Sequence, residues 1–150
     1  MFAIAAAALA LATFVAAESH QVTFTNNCGY GTPLFLYSSD GTPQGATTIQ
    51  APLSGGIAWL ENGSCTTDGV NCGAVEFTLV NTGYSQADIT LEPEGNHTYL
   101  YPIGFNFTNG CSNGLFCDNS NCKNVASFTP TQVPLAQCSA DNCGINVIFC

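Results

Sequence analysis

Hydrophobic and polar residues alternate in short runs along this chain. In residues 20–25 (HQVTFT), Val22 and Phe24 share one face of an extended segment that stops at Asn26-Asn27-Cys28-Gly29. Residues 33–37 (PLFLY) form a short apolar run suited to a buried strand, and Ser38-Ser39-Asp40-Gly41 ends it as a turn. Residues 57–61 (IAWLE) follow Gly55-Gly56 and break at Asn62-Gly63. The clearest alternation is in residues 74–80 (AVEFTLV): Val75, Phe77 and Leu79 point one way, Glu76 and Thr78 the other. Residues 87–92 (ADITLE) place Ile89 and Leu91 inward and Asp88 and Thr90 outward. Residues 98–107 are aromatic-rich and interrupted by Pro102, which predicts an edge or bent strand. Residues 109–124 read as an Asn/Gly/Cys-rich loop, and residues 145–149 (INVIF) as a last strand. Past the first residues no stretch keeps a helical period. The expected fold is all-β, an antiparallel β-sandwich.

Composition adds the setting. Residues 1–17 are apolar and uncharged, and Val15-Ala16-Ala17 supplies small residues for cleavage before Glu18. This predicts a secretory signal peptide (1–17), a single domain (18–150), an extracellular location and no membrane association after cleavage. Nine cysteines behind such a leader predict a disulfide-stapled fold, with one thiol left over that is buried, caps another molecule or pairs between chains. Zinc-type C-x2-C pairs are absent and His20 and His97 stand far from Cys111, Cys117 and Cys122, so no metal and no cofactor is expected. Net charge is −9, with Lys123 the one basic residue, which excludes nucleic acid as a partner. Sequons at Asn62, Asn96 and Asn106 predict exposed, glycosylated turns, although such triplets also arise by chance in an Asn- and Thr-rich chain. No Gly-x-Ser-x-Gly elbow or Gly-rich phosphate loop occurs, and a Cys143–His97 pair lacks the cationic surroundings of a reactive thiol.

Several of these segments, in this order, resemble the thaumatin-like proteins, in the shortened form of small secreted fungal members. VTFTNNCGYGTP is similar to the family's opening strand and first cysteine. AVEFTL, ADITL and GFNF resemble its AEFTL, DISL and GFN series, CKNVASF (122–128) looks like a worn CPDAYSY, and INVIFC ends the chain on cysteine. Four residues separate Cys117 from Cys122, where larger members carry an additional Cys-rich domain, so the resemblance implies the sandwich alone. It also implies the pairs Cys28–Cys150, Cys65–Cys72, Cys111–Cys138 and Cys117–Cys122. Cys143 has no counterpart and becomes the candidate free thiol, in a monomer or a Cys143-linked dimer.

In larger members an acidic cleft with one Arg, one Glu and three Asp is linked to β-1,3-glucan binding and weak glucanase activity. Carried over, Glu76 matches the Glu and Asp88 the first Asp. Glu92 or Glu94 would stand in for the second Asp, Asn124 replaces the last, and the Arg is missing. If Thr78 lies opposite Asp88, Glu76 and Asp88 are diagonal neighbours about 7–8 Å apart, a spacing suited to inverting glycoside hydrolysis. The alternative is that both are ordinary solvated strand residues. An open sheet face is expected to hydrate and ionise both carboxylates, which disfavours catalysis. Trp59, Tyr84, Tyr99 and Tyr101 are the candidate aromatic platform for a sugar; otherwise Trp59 is core and the tyrosines are ordinary strand residues. The expectation is a secreted cell-wall polysaccharide (β-glucan) binder. The rivals are a weak β-1,3-glucanase using Glu76 and Asp88, and an interaction or elicitor protein without a sugar site.

Overall fold

The computed structural model describes residues 17–91, 96–122 and 135–150. Residues 1–16, which are all but the last of the expected signal peptide (1–17), and Glu92, Glu94, Lys123 and Asn124 lie outside the described residues. Eleven strands are described: β1 His20–Asn26, β2 Thr32–Tyr37, β3 Asp40–Gln44, β4 Thr47–Ile49, β5 Leu53–Glu61, β6 Ala74–Leu79, β7 Ser85–Thr90, β8 Ile103–Thr108, β9 Gly114–Cys117, β10 Ala136–Cys138 and β11 Gly144–Phe149. They build two sheets, β4-β1-β11-β8-β9 and β10-β7-β6-β5-β2-β3. The protein is a disulfide-stapled, all-β sandwich.

Period-2 alternation builds the core, because each strand gives one face to the space between the sheets. Val22 of β1, Ile103, Phe105 and Phe107 of β8, and Ile145, Val147 and Phe149 of β11 come from the five-stranded sheet. Phe35, Ala58, Leu60, Val75, Phe77, Leu79 and Ile89 meet them from the six-stranded sheet. Phe24 touches both Phe149 of its own sheet and Phe35 of the other, with ring centroids 6.3 and 6.2 Å away. Tyr101 is buried with its hydroxyl satisfied twice: it accepts from Leu60 N at 3.1 Å and donates to Gly73 O at 3.0 Å.

Three local expectations change. The sheets are not wholly antiparallel, because β1 and β11 pair in parallel from Val22↔Ile145 to Asn26↔Phe149. The first and last strands end together, which brings Cys28 and Cys150 into their disulfide. The strand expected over 98–107 starts at Ile103 and lies between β11 and β9, so it is not an edge. Pro102 has no N–H for the ladder and stands just before it, its carbonyl accepting from Cys150 N at 2.8 Å. The expected loop 109–124 contains β9, paired to β8.

The other disulfides are Cys65–Cys72, Cys111–Cys138 and Cys117–Cys122, and Cys143 is a buried free thiol. The four pairs and the odd cysteine are those the thaumatin-like resemblance implied. No described helix is long and apolar enough to cross a membrane.

A candidate binding cleft on the outer face of the six-stranded sheet

Four neighbouring strands align one residue each across the outer face. Leu36 of β2 pairs with Ile57 of β5, Ile57 with Glu76 of β6, and Glu76 with Asp88 of β7. All four line a cleft of about 450 Å³. Two features of β5 fix the backbone along its floor. The ladder to β6 shifts register between Leu53 and Gly56, and Gly55 at the shift adopts φ +59°. A side chain there would be strained in that left-handed conformation and would collide with Ser38 Oγ.

The carboxylates stand directly opposite each other. The diagonal arrangement is corrected, because Thr78 faces Gln86, not Asp88. Directly opposed residues have Cβ atoms about 4.5–5.5 Å apart. With Cβ atoms that close, and the Glu76 side chain one methylene longer than that of Asp88, the two carboxyls come within reach of the roughly 5–5.5 Å separation of retaining glycoside hydrolysis. Nor are both groups equally hydrated: Glu76 is exposed, whereas Asp88 is 7% exposed. Unequal environments are what let two carboxyls divide acid and base roles.

A third acid, Asp68, lines the same cleft. It sits in the turn Thr67–Gly69 inside the Cys65–Cys72 loop, at φ +69°. A non-glycine residue in this region carries about 1–3 kcal/mol of strain and persists where its surroundings hold it. The loop is held at several points. Thr66 N donates to Val70 O, Cys72 N to Gly69 O, and His97 Nδ1 lies 3.1 and 3.0 Å from the carbonyls of Gly69 and Cys72. Beneath it is Trp59, 1% exposed: a Cβ on Gly69 would fall 2.9 Å from Trp59 Cβ. Trp59 is therefore packing under the loop, not a platform. Sequence reasoning did not assign Asp68. Its signal was an Asp-Gly pair within a short cysteine-closed loop, just ahead of the strand that bears Glu76.

The tyrosines are elsewhere. Tyr101 is core, which corrects its expected role as a sugar contact: a ring 1% exposed offers no platform. Tyr99 donates its hydroxyl to Asp118 O at 2.8 Å, and Tyr84, 61% exposed, stands at the β6–β7 connection. None of the three is among the described residues that line the cleft, whose apolar side chains are Leu36, Ile57, Phe77 and Leu135.

Among the described residues, one set of three side chains has ligand atoms close enough to share a metal ion. It comprises the Sγ atoms of Cys111, Cys138 and Cys143, all within 4.8 Å of one another. Two of these sulfurs are joined as a disulfide, so they are not thiolate ligands. Burial pushes the Cys143 thiol up to about 11.

No protein-family model and no curated protein sequence matches the chain.

Proposed function

We propose that this is a secreted thaumatin-like protein that binds a neutral cell-wall polysaccharide of the β-1,3-glucan type along the cleft over β2, β5, β6 and β7. The observation that carries this reading is the row Leu36–Ile57–Glu76–Asp88 under an open cleft. A sugar ring has an apolar face and a rim of hydroxyls. The aliphatic end of the row suits the face, and the carboxylate end accepts hydrogen bonds from the rim. The volume falls within the roughly 300–1,000 Å³ typical of ligand sites. Charge narrows the class further: with no Arg, one Lys and a net charge of −9, an anionic polymer would be repelled and a neutral one is not. The test is retention on insoluble β-1,3-glucan between pH 4 and 7. Wild-type protein is retained, and Glu76→Gln and Asp88→Asn weaken retention. Equal retention of all three removes this cleft from the proposal, and no retention of the wild type favours a protein-interaction role instead.

Direct opposition of Glu76 and Asp88, with one exposed and one buried, supports a second reading: slow hydrolysis of the same polymer with retention of anomeric configuration. Release of reducing sugar that persists in Glu76→Gln would exclude it.

A further inference from the structure

The opposite outer face, on the five-stranded sheet, is polar and centred on a sequon. Side chains alternate along each strand, so Thr23 and Thr25 of β1, Asn146 and Ile148 of β11, Asn106 and Thr108 of β8, and Phe116 of β9 share this face, Ile148 and Phe116 being its apolar members. Thr23 pairs with Asn146, Asn146 with Asn106, and Asn106 with Gly114. Asn106-Phe107-Thr108 thus lies mid-sheet in an extended strand, with the acceptor amide and the threonine hydroxyl on the same side, and not in the exposed turn expected from sequence.

The surroundings of Asn106 are built low. Gly114 is its cross-strand neighbour, and Gly104 is the preceding residue on the same face. A Cβ on Gly114 would collide with Phe105 O, and one on Gly104 would lie 2.4 Å from Phe116 Cδ2. The Phe116 ring therefore lies over Gly104, immediately beside Asn106, and it is 46% exposed. Asn106 itself is anchored at both ends of its amide: Nδ2 donates to Phe107 O at 3.1 Å, and Oδ1 accepts from Asn146 Nδ2 at 3.5 Å. An N-glycosylated amide keeps one N–H and its oxygen, so both bonds can survive while the sugar replaces the other hydrogen.

We propose that Asn106 carries an N-linked glycan whose first sugar lies on the Phe116 ring and shields the outer face of the five-stranded sheet. The donor is a pyrophosphate-linked lipid oligosaccharide of the secretory pathway. Asn106 Nδ2 bonds to the anomeric carbon, the C–O bond to the pyrophosphate breaks, the carrier leaves as its pyrophosphate, and the amide nitrogen loses one proton. Pyranose C–H groups carry the partial positive charge that the face of an aromatic ring attracts. A glycan here stands on the far side of the sandwich from the acidic cleft. By contrast, Asn62 lies beside the Cys65–Cys72 loop that bears Asp68, and Asn96 O accepts from Asn71 N of that loop at 2.6 Å.

The experiment is secretion of the full chain from an N-glycosylating eukaryotic host, followed by peptide mass mapping and thermal unfolding. The expected result is a glycan on the peptide containing Asn106, absent from Asn106→Gln and from Thr108→Ala. Loss of the glycan should lower the melting temperature by about 3 °C in the Phe116 background, the shift that roughly 1 kcal/mol produces in a domain this size. In Phe116→Ala the glycosylated and sequon-less forms should melt within about 1 °C of each other, a smaller effect than the same conversion allows for one contact. An unmodified Asn106 in the secreted chain overturns the proposal, whether or not Asn62 or Asn96 is modified. A glycan whose stabilisation is unchanged in Phe116→Ala overturns the assigned contact.

Discussion

Replacing Cys28 and Cys150 together by alanine isolates the effect of joining the first strand to the last. The bridge closes a loop of sequence separation 122, the longest of the four. Chain-entropy estimates put its stabilisation at about 5 kcal/mol, against about 2.4 kcal/mol for a separation of 7 such as Cys65–Cys72. Location makes this pair a clean test. Cys28 is half-buried at the margin of the core and Cys150 exposed, so truncating their sulfurs removes little buried volume. The strands beside them keep their own ladder, β1 pairing with β11 over five residue pairs, so the folded state should survive. The loss should then come from a freer unfolded chain. Urea titration is expected to show a fall of about 5 kcal/mol with a steeper denaturant slope, because the uncrosslinked unfolded state exposes more surface. In a domain of this size that corresponds to a melting temperature lower by about 15–20 °C. Kinetically the loss divides between slower folding and faster unfolding according to how far the two ends have come together in the transition state. A loss below about 2 kcal/mol, or one with an unchanged denaturant slope, would refute the entropic account and place the stabilisation in the native state, as the competing enthalpic view holds.

Tyr101→Phe removes a hydroxyl that serves Leu60 N and Gly73 O in the core, and leaving both unsatisfied should cost about 2–3 kcal/mol in urea unfolding; a cost under about 0.5 kcal/mol would mean that both groups find other partners. Cys143, with its thiol pushed up to about 11 from an ordinary 9.0, should have about a hundredfold less thiolate at pH 8 and should resist iodoacetamide until urea is added. Stoichiometric labelling of the native protein within minutes would contradict its burial. Because its Sγ lies within 4.8 Å of both Cys111 and Cys138, warming at pH 10 should allow exchange: the Cys143 thiolate bonds to Cys138 and releases Cys111 as thiolate. Peptide mapping should find the Cys138–Cys143 pair in the wild type, and Cys143→Ser should retain Cys111–Cys138. Glu18 is held below its usual 4.5, chiefly by the His20 hydrogen bond at 3.0 Å and also by Asn81 N at 2.7 Å. A depressed carboxyl contributes its stability fully above its unfolded value and loses it as pH falls through the folded one. Glu18→Gln should therefore be less stable than wild type at pH 6, and the two should converge below the ordinary carboxylate range. A gap that stays constant down to pH 2 would refute that linkage.

What periodicity revealed of the fold, and what it hid, follows from where each strand lies. The strands legible in sequence (β1, β2, β5, β6, β7, β8 and β11) are the interior members of the two sheets. Each has neighbours on both sides and buries one face, so apolar residues must recur at every second position. The strands it did not reveal are β3, β4, β9 and β10, and these are the four sheet edges. Edge strands here are short, of three to five residues, too few for a period to show, and two of them are also exposed: β3 reads DGTPQ without an apolar residue and contains Pro43, tolerated where no second ladder has to form. The disulfide map is a different case. Spacing alone left the pairings undetermined, and the resemblance supplied them.

The site divides in the same way, between what a face records and what a register records. Alternation alone places Glu76 and Asp88 on the outer face, and that holds. Their separation does not follow from alternation. Moving β7 by two residues against β6 exchanges Thr78↔Asp88 for Thr78↔Gln86 and leaves every side chain on its own face. The hydrophobic pattern is identical before and after such a shift, so it cannot distinguish a diagonal pair, about 7–8 Å apart at the backbone, from a directly opposed pair whose Cβ atoms are about 5 Å apart. The geometry of the Val80–Tyr84 connection and the packing of the two sheets make that choice. Asp68 lies further from view, because its place at the cleft depends on a disulfide loop folding back over Trp59. For a two-carboxyl site the distance decides the chemistry, since it sets whether water or a carboxylate attacks the sugar. The fold of such a protein can thus be read from its periodicity while the spacing within its candidate site cannot.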